Sequence, residues 1–247
     1  MTGRPTGLHH FFVAASDVRD GVVELTGDEA RHAARVLRVR PGEAITVADG
    51  SGRVIEAVVT EAEAVVRAEV RDIRETAPPK PAVTLYQAIA KGDRMNDLVA
   101  QAVEVGVVRF VPFVAQRTIA QWDERKRAKH AARWREIAKA AAKQSRSPYL
   151  TAVEDVVDGP SSLLASGTLT VVLDEASSVR LRDALPSAPP DAMVIAVGPE
   201  GGFAPDELGE LRTGDAHIVT LGPRILRTGT AGPVAAAIVA YTYGTLG

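Results

Sequence analysis

The sequence predicts an α/β chain in two parts: a small β-rich domain, then a parallel sheet with helices on both faces. Three observations carry this. Up to residue 74, short β-branched runs follow one another closely, as in a small β-barrel or sandwich. Thr76-Ala77-Pro78-Pro79-Lys80-Pro81 suits neither a helix interior nor a central strand and reads as a stiff linker. From residue 83, strand-like runs alternate with helix-like ones, the pattern of a parallel sheet. The boundaries are therefore 1–74, 75–82 and 83–247.

In chain order, 10–13 reads as a strand and 28–39 as a helix, opened by Thr26, Gly27 or Asp28 and ended by Pro41-Gly42. Residues 44–48 and 53–59 flank Asp49-Gly50-Ser51-Gly52, a hairpin turn in which glycine supplies φ > 0. Residues 65–70 form another strand. After the linker, strands are expected at 83–88, 107–114, 169–173, 193–197 and 217–221, five in all. Helices are expected at 93–105, with Leu98, Ala102 and Val105 on one face and Gly106 as its cap, and at 123–146 and 179–185. Pro205 opens another, 205–212, and Pro233 the last, 233–243.

The totals narrow the function. With 46% hydrophobic residues and 24% charged, the chain can build a core. Net charge is -2, so a nucleic-acid surface must be a local patch. There is no cysteine, which excludes disulfides and thiolate chemistry. Residues 1–13 hold no long apolar stretch of the signal-peptide kind, and 233–240 is too short to cross a bilayer; a soluble cytoplasmic protein with no membrane partner is expected. No histidine has metal-site spacing, so no metal is expected. No P-loop, dinucleotide fingerprint or Gly-x-Ser-x-Gly elbow occurs.

The informative stretch is 193–231. Two apolar strands there each run into a glycine loop: Gly198-Pro199-Glu200-Gly201-Gly202-Phe203, and Leu221-Gly222-Pro223-Arg224-Ile225-Leu226-Arg227. Ligands gather at strand carboxyl ends in open α/β sheets, and two adjacent loops suggest one site. A tight strand-to-helix turn would also explain the first loop. Glu200 disfavours phosphate there and suits a neutral or cationic ligand. Arg224 and Arg227 carry forked donors suited to phosphate or a base edge and bracket Ile225-Leu226, which would pin the loop. Asp174 and Glu175 follow the strand ending at Leu173 and could accept from ribose hydroxyls; capping or solvation explains them equally well.

Two helices are strongly basic. The 123–146 helix carries Arg125, Lys126, Arg127, Lys129, Arg133, Arg135, Lys139, Lys143 and Arg146 against Asp123, Glu124 and Glu136. The 28–39 helix carries Arg31, Arg35 and Arg38 on one side. Solvated faces would look the same, but so local a surplus in an acidic chain points to RNA or DNA across both domains.

The paired loops resemble those of the RsmE family, SPOUT-class methyltransferases of small-subunit ribosomal RNA. The resemblance extends to Lys91-Gly92-Asp93-Arg94-Met95, to Gln101 through Val107, to Arg133-Trp134 with Ala140-Ala141-Ala142-Lys143-Gln144-Ser145, and to His32, Val36-Leu37-Arg38 and Asp49-Gly50. It implies an N-terminal PUA-like barrel on a SPOUT domain with a trefoil knot, a homodimer, and S-adenosylmethionine held between the knot loops. The implied reaction is methylation of N3 of one uridine in 16S rRNA. Leu173, Glu175, Gly198, Pro199, Glu200, Gly201, Gly202, Leu221, Gly222, Ile225 and Leu226 are then the cofactor residues. Arg31, Arg35, Arg38, Arg94 and Arg133 face RNA. Arg227, then Arg224, would stabilise the uridylate anion; Glu200 or solvent would take its proton.

Two positions depart from the family. Gly229 stands where an acid often follows the arginine run, and Arg146-Ser147-Pro148 lacks the glycine often found after the Gln-Ser pair. The rival readings are a SPOUT ribose 2′-O-methyltransferase of rRNA or tRNA, and a non-catalytic RNA-binding or ribosome-assembly protein, which the Gly229 departure favours.

Overall fold

The computed structural model describes residues 8–119, 122–160 and 168–246. Residues 1–7, which begin the first predicted domain and the stretch read for a leader, lie outside the described residues. The chain divides into two compact units: Met1–Pro78 with Ala142–Leu150, and Pro79–Ala141 with Thr151–Gly247.

The first unit contains β1 (His9–Phe12), β2 (Val18–Arg19), β3 (Val22–Leu25), α1 (Gly27–Arg31), β4 (Ala44–Ala48), β5 (Arg53–Ala62) and β6 (Val66–Glu75). The strands form one sheet in the order β1-β4-β5-β6-β3-β2. Alternate residues, among them Ile45, Val47, Ile55, Ala57, Val59, Val66 and Ala68, turn inward and bury Phe11, Val23 and Leu25 against α1. The β4–β5 hairpin lies where its turn residues predict, with Asp49 Oδ1 accepting from Ser51 N at 2.8 Å. The β2–β3 hairpin was not expected. Nor was the break in the 28–39 helix. Only α1 is α-helical; His32–Leu37 is a π-helical segment, and Arg38 leaves it with φ 56. Arg31, Arg35 and Arg38 are all exposed but do not share one regular α-helical face, and Arg31 pairs with Asp28 at 2.5 Å.

Residues 142–150 belong with this sheet rather than with the second domain to which their place in the sequence assigned them. Gly52 N donates to Pro148 O at 3.1 Å, Leu150 N to Gly50 O at 3.1 Å, and Tyr149 Oη to Thr76 O at 2.5 Å. Lys143 Nζ meets Glu29 Oε1 at 2.6 Å. Arg146 has φ 53, a left-handed conformation that glycine adopts most readily at a helix C-terminus. That gives a physical reason for the glycine that the family resemblance leads one to expect here.

Burial pushes the His10 imidazole down to about 4, with Arg146 and Lys143 adding to the shift while Glu29 and a backbone bond at Ser147 oppose it. Its Nδ1 lies 2.9 Å from Thr46 Oγ1. The folded imidazole therefore stays neutral where the unfolded one takes a proton. This stability is fully present above pH ~6.5 and is lost as pH falls toward 4, by up to about 2–3 kcal/mol. Denaturant unfolding between pH 7 and 4.5 should show a shallower loss for His10→Gln than for the parent; equal slopes would remove His10 from the effect.

The second unit holds β7 (Ala82–Ala88), α2 (Arg94–Glu104), β8 (Arg109–Val114), β9 (Ala152–Val153), β10 (Val157–Asp158), β11 (Leu169–Leu173), α4 (Leu181–Ala184), β12 (Ala192–Val197), α5 (Pro205–Thr213), β13 (His217–Val219) and α6 (Thr228–Thr242). The long helix α3 (Glu124–Ser145) runs through the division between the units. The sheet is wholly parallel, ordered β10-β8-β7-β12-β11-β13, with β9 also on β8. It thus has seven strands rather than five, because β9 and β10 are two-residue strands with no periodicity to read. Arg127 forks onto Asp158 at 2.9 and 2.7 Å, and Arg135 binds Val153 O at 2.9 Å and Asp155 at 2.8 Å. These basic residues of α3 hold β9 and β10 in place. On α2, Met95, Leu98, Val99, Ala102 and Val103 form the buried stripe. The last helix, α6, starts at Thr228, five residues before the proline expected to open it. Pro233 forfeits one bond, to the Gly229 carbonyl, while Ala231, Ala235, Ala236 and Val239 are buried.

Candidate active site

The carboxyl ends of five parallel strands open onto one cavity of about 580 Å³. In sheet order they contribute Arg117 after β8, Arg94 after β7, residues 198–203 after β12, Asp174 and Glu175 after β11, and Thr220, Leu221 and residues 224–227 after β13. The sequence suggested two adjacent glycine loops, but β11 runs between β12 and β13 and separates them. Leu173, Asp174 and Glu175 therefore come between the loops.

The first loop is tied on three sides. Thr228 Oγ1 donates to Gly198 O at 2.6 Å, Arg117 Nη1 to Gly201 O at 2.9 Å, and Lys91 N to Glu200 Oε1 at 2.9 Å. Gly202 N closes the turn onto Pro199 O at 2.9 Å, and Gly202 has φ 68, which favours glycine. With the carbonyls of Gly198, Pro199 and Gly201 already accepting, the loop is suited to offer N–H groups to a ligand. Glu200 is a brace between loops here, not a free carboxylate aimed at a cation. Asp174 turns back to cap Ala176 N at 2.8 Å, while Glu175 is exposed at the cavity.

Beneath the loop lies a buried polar pair. Gln87, 0% exposed near the carboxyl end of β7, donates from Nε2 to Thr228 Oγ1 at 3.0 Å and to Ala88 O at 3.1 Å. Thr228 is 7% exposed and begins α6 directly after Arg227.

Of the residues singled out for the cofactor, Leu173, Glu175, Gly198, Pro199, Glu200, Gly201, Gly202, Leu221, Ile225 and Leu226 line the cavity. Gly222 does not; it sits beside it, exchanging hydrogen bonds with Thr220 Oγ1 at 3.3 Å. Arg224 and Arg227 line it as well. Ile225 does not pin its loop as expected: it is 76% exposed. The nearby Thr228 tie to Gly198 is a firmer anchor. Arg94, read as an RNA contact alone, is part of the cavity wall, whereas Arg133 is exposed on α3. Arg117, Thr228 and Gln87 were missed. Arg117 had a usable signal, since it stands just beyond a strand's carboxyl end. A side chain at Gly229 would meet nothing within 4 Å, so the missing acid is not a steric necessity. Among the described residues no group of three His, Asp or Glu converges as a metal site, and no helix is long and apolar enough to cross a membrane.

Residues 77–240 match the family model of an RNA methyltransferase domain, and 25–67 match an RNA methyltransferase PUA domain. The ribosomal RNA small subunit methyltransferase E of Mycobacterium bovis is 37% identical over 232 residues, 91% of this chain and 88% of that protein. The chain belongs to the RsmE family. The Bacillus subtilis member is 30% identical over 88% of this chain and 89% of its own. The Neisseria gonorrhoeae enzyme, solved with S-adenosylmethionine bound, superposes with TM-score 0.85 at 32% identity, covering 96% of this chain and 98% of that one. The family assignment, the six-stranded N-terminal sheet and the parallel sheet with its helices agree with the fold expected from the sequence.

Proposed function

We propose that this protein methylates N3 of a specific uridine in 16S rRNA of the small ribosomal subunit, using S-adenosylmethionine. The observation that carries the reading is the convergence of ten predicted cofactor residues and two arginines on one cavity in a chain of this family. The residues fit the cofactor. Spare N–H groups on the 198–203 loop suit adenine and ribose acceptors, Glu175 suits ribose hydroxyls, and the volume suits a small molecule. Bound there, S-adenosylmethionine supplies the methyl group.

The chain's own residues then have to prepare the nucleophile. Uracil N3 carries a proton and attacks poorly until that proton leaves. Arg227, with Arg224 beside it, places positive charge where the uridylate oxygen becomes negative. Solvent takes the proton, because Glu200 is engaged with Lys91. Holding N3 in line with the methyl group supplies the rest.

Residues 1–74, with 142–150, serve as the RNA-binding domain through Arg31, Arg35 and Arg38. Residues 75–82 link it to the SPOUT methyltransferase domain, 83–247, where Arg133 also faces RNA. The return of β13 to the far side of β11 supports the trefoil knot. Exposed Ile225, Ile238 and Tyr241 (75% exposed) on α6 and the loop before it support a homodimer. We place the protein in the cytoplasm, with its substrate.

Nucleosides from 16S rRNA of a deletion strain should lack N3-methyluridine and regain it on complementation. Persistence of that nucleoside would sink the reading. Loss of a 2′-O-methylated nucleoside would favour the ribose methyltransferase, and intact modification with defective subunits the assembly protein.

A further inference from the structure

Arginines stand at both ends of the cavity along the sheet: Arg224 and Arg227 after β13, beyond Asp174 and Glu175 after β11, and Arg94 and Arg117 at the opposite end, after β7 and β8. The glycine loop after β12 lies between them. Three arginines of this unit are spent on carboxylates, Arg109 on Glu154, Arg127 on Asp158 and Arg135 on Asp155. Among the described residues Arg94 and Arg117 hold no such partner, although Glu200 lines the same cavity. Glu200 is turned to Lys91 N, and Asp206, near Arg117, is bonded by Gln116 Nε2 at 2.6 Å. Arg117 commits one N–H, from Nη1, to Gly201 O. That bond steadies the guanidinium and leaves further donors.

Two guanidiniums at one end of a cavity, without a carboxylate partner among the described residues, favour an anionic ligand there. The cofactor brings one anionic group of its own, its methionine carboxylate, and the cofactor-affinity arm of the test separates that from an RNA phosphate. We infer that Arg94 and Arg117 form a phosphate subsite that holds a backbone phosphodiester of the substrate RNA at the β7–β8 end of the cavity, opposite the acids that face the cofactor. This deepens the proposed function and rests on its reading of the cavity as a joint cofactor and RNA site. Arginine suits the task, because its fork matches phosphate oxygens. The start of α2, where Arg94 stands, adds the favourable end of a helix dipole.

The test measures binding of a single-stranded 16S rRNA fragment by the full chain across a salt series, for the parent, Arg94→Gln and Arg117→Gln. Calorimetry gives the affinity for S-adenosylmethionine in parallel. Each substitution should weaken RNA binding and lower the slope of log K against log salt by about one contact; Arg117→Gln also removes the Gly201 bond and is read on the slope, while Arg94→Gln should change cofactor affinity less than the slope. Arg117→Lys should keep the slope. Unchanged slopes in both glutamine variants would overturn the subsite. So would a loss of cofactor affinity with the slope intact, which would make Arg117 only a brace for Gly201. Arg94→Gln makes no demand on that brace, so it carries the test if Arg117→Gln fails to fold. The target base is a separate matter: a fallen slope with N3-methyluridine still present in the deletion strain would sustain the subsite and remove the uridine reading.

Discussion

Arg227→Ala should lower kcat by about 10²–10³-fold, the usual cost of removing one donor aimed at a developing oxyanion, while S-adenosylmethionine binds as before. Arg227 lies in the cavity wall immediately before α6 and is exposed there. It therefore stabilises little of the fold, and its loss should fall on the step in which uracil becomes anionic. Such an effect lowers kcat and kcat/KM for RNA together. Single-turnover methylation at saturating cofactor, with calorimetry alongside, makes the distinction. Raising the pH should recover part of the rate in the variant, because hydroxide then does more of the deprotonation. Equal losses of turnover and cofactor affinity would leave Arg227 as a wall residue of the cofactor site with no part in the chemistry.

The sequence shows some of this well and some of it not at all, for physical reasons that differ by residue. The strands from 83–88 to 193–197 are buried on both faces, so their apolar runs announce them. The two loops announce themselves through glycine and proline. What lies between the loops is set by strand order, which no local pattern encodes; nothing near Leu173 says that β11 will sit between β12 and β13. Residues 142–150 follow directly from α3, and their place beside the first sheet depends on bonds to Gly50, Gly52 and Thr76, far away in sequence. The π-helical segment at His32–Leu37 has the composition of an α-helix. Val36 is exposed within it, where a regular apolar face would have argued for burial. Pro233 looked like a helix start because the helix before it is made of Thr228, Gly229, Thr230 and Gly232, residues of modest or low helix propensity. Their conformation is fixed by packing on β7, where an added Cβ at Gly232 would stand 2.9 Å from Gln87 Oε1.

That contact leads to the residue pair with the largest structural consequence. Thr228 Oγ1 accepts from Gln87 Nε2 and donates to Gly198 O, and all three residues are buried. One hydroxyl thus joins the middle of the sheet, the first glycine loop and the first residue of α6. Thr228→Val keeps the shape but leaves the Gly198 carbonyl without its side-chain partner and a Gln87 donor short of one. Each loss costs about 1–3 kcal/mol, and Gln87 Oε1 already lacks a partner. The variant should lose about 2–6 kcal/mol of stability by that count, and its cofactor affinity should fall with the drift of the Gly198 loop. Thr228→Ser restores the hydroxyl and should restore cofactor affinity, though not the packing of the lost methyl. Gln87→Leu in the Thr228→Val background should cost less than the two changes summed, because an apolar pair leaves fewer buried groups unmatched. Thermal unfolding and calorimetry with S-adenosylmethionine on the four variants give the cycle. If Thr228→Ser binds the cofactor as poorly as Thr228→Val, the hydroxyl bridge does not set the loop. If the cycle is additive, Gln87 and Thr228 act separately, and the alignment of Gly198 with Arg227 must come from the Arg117 and Lys91 bonds instead.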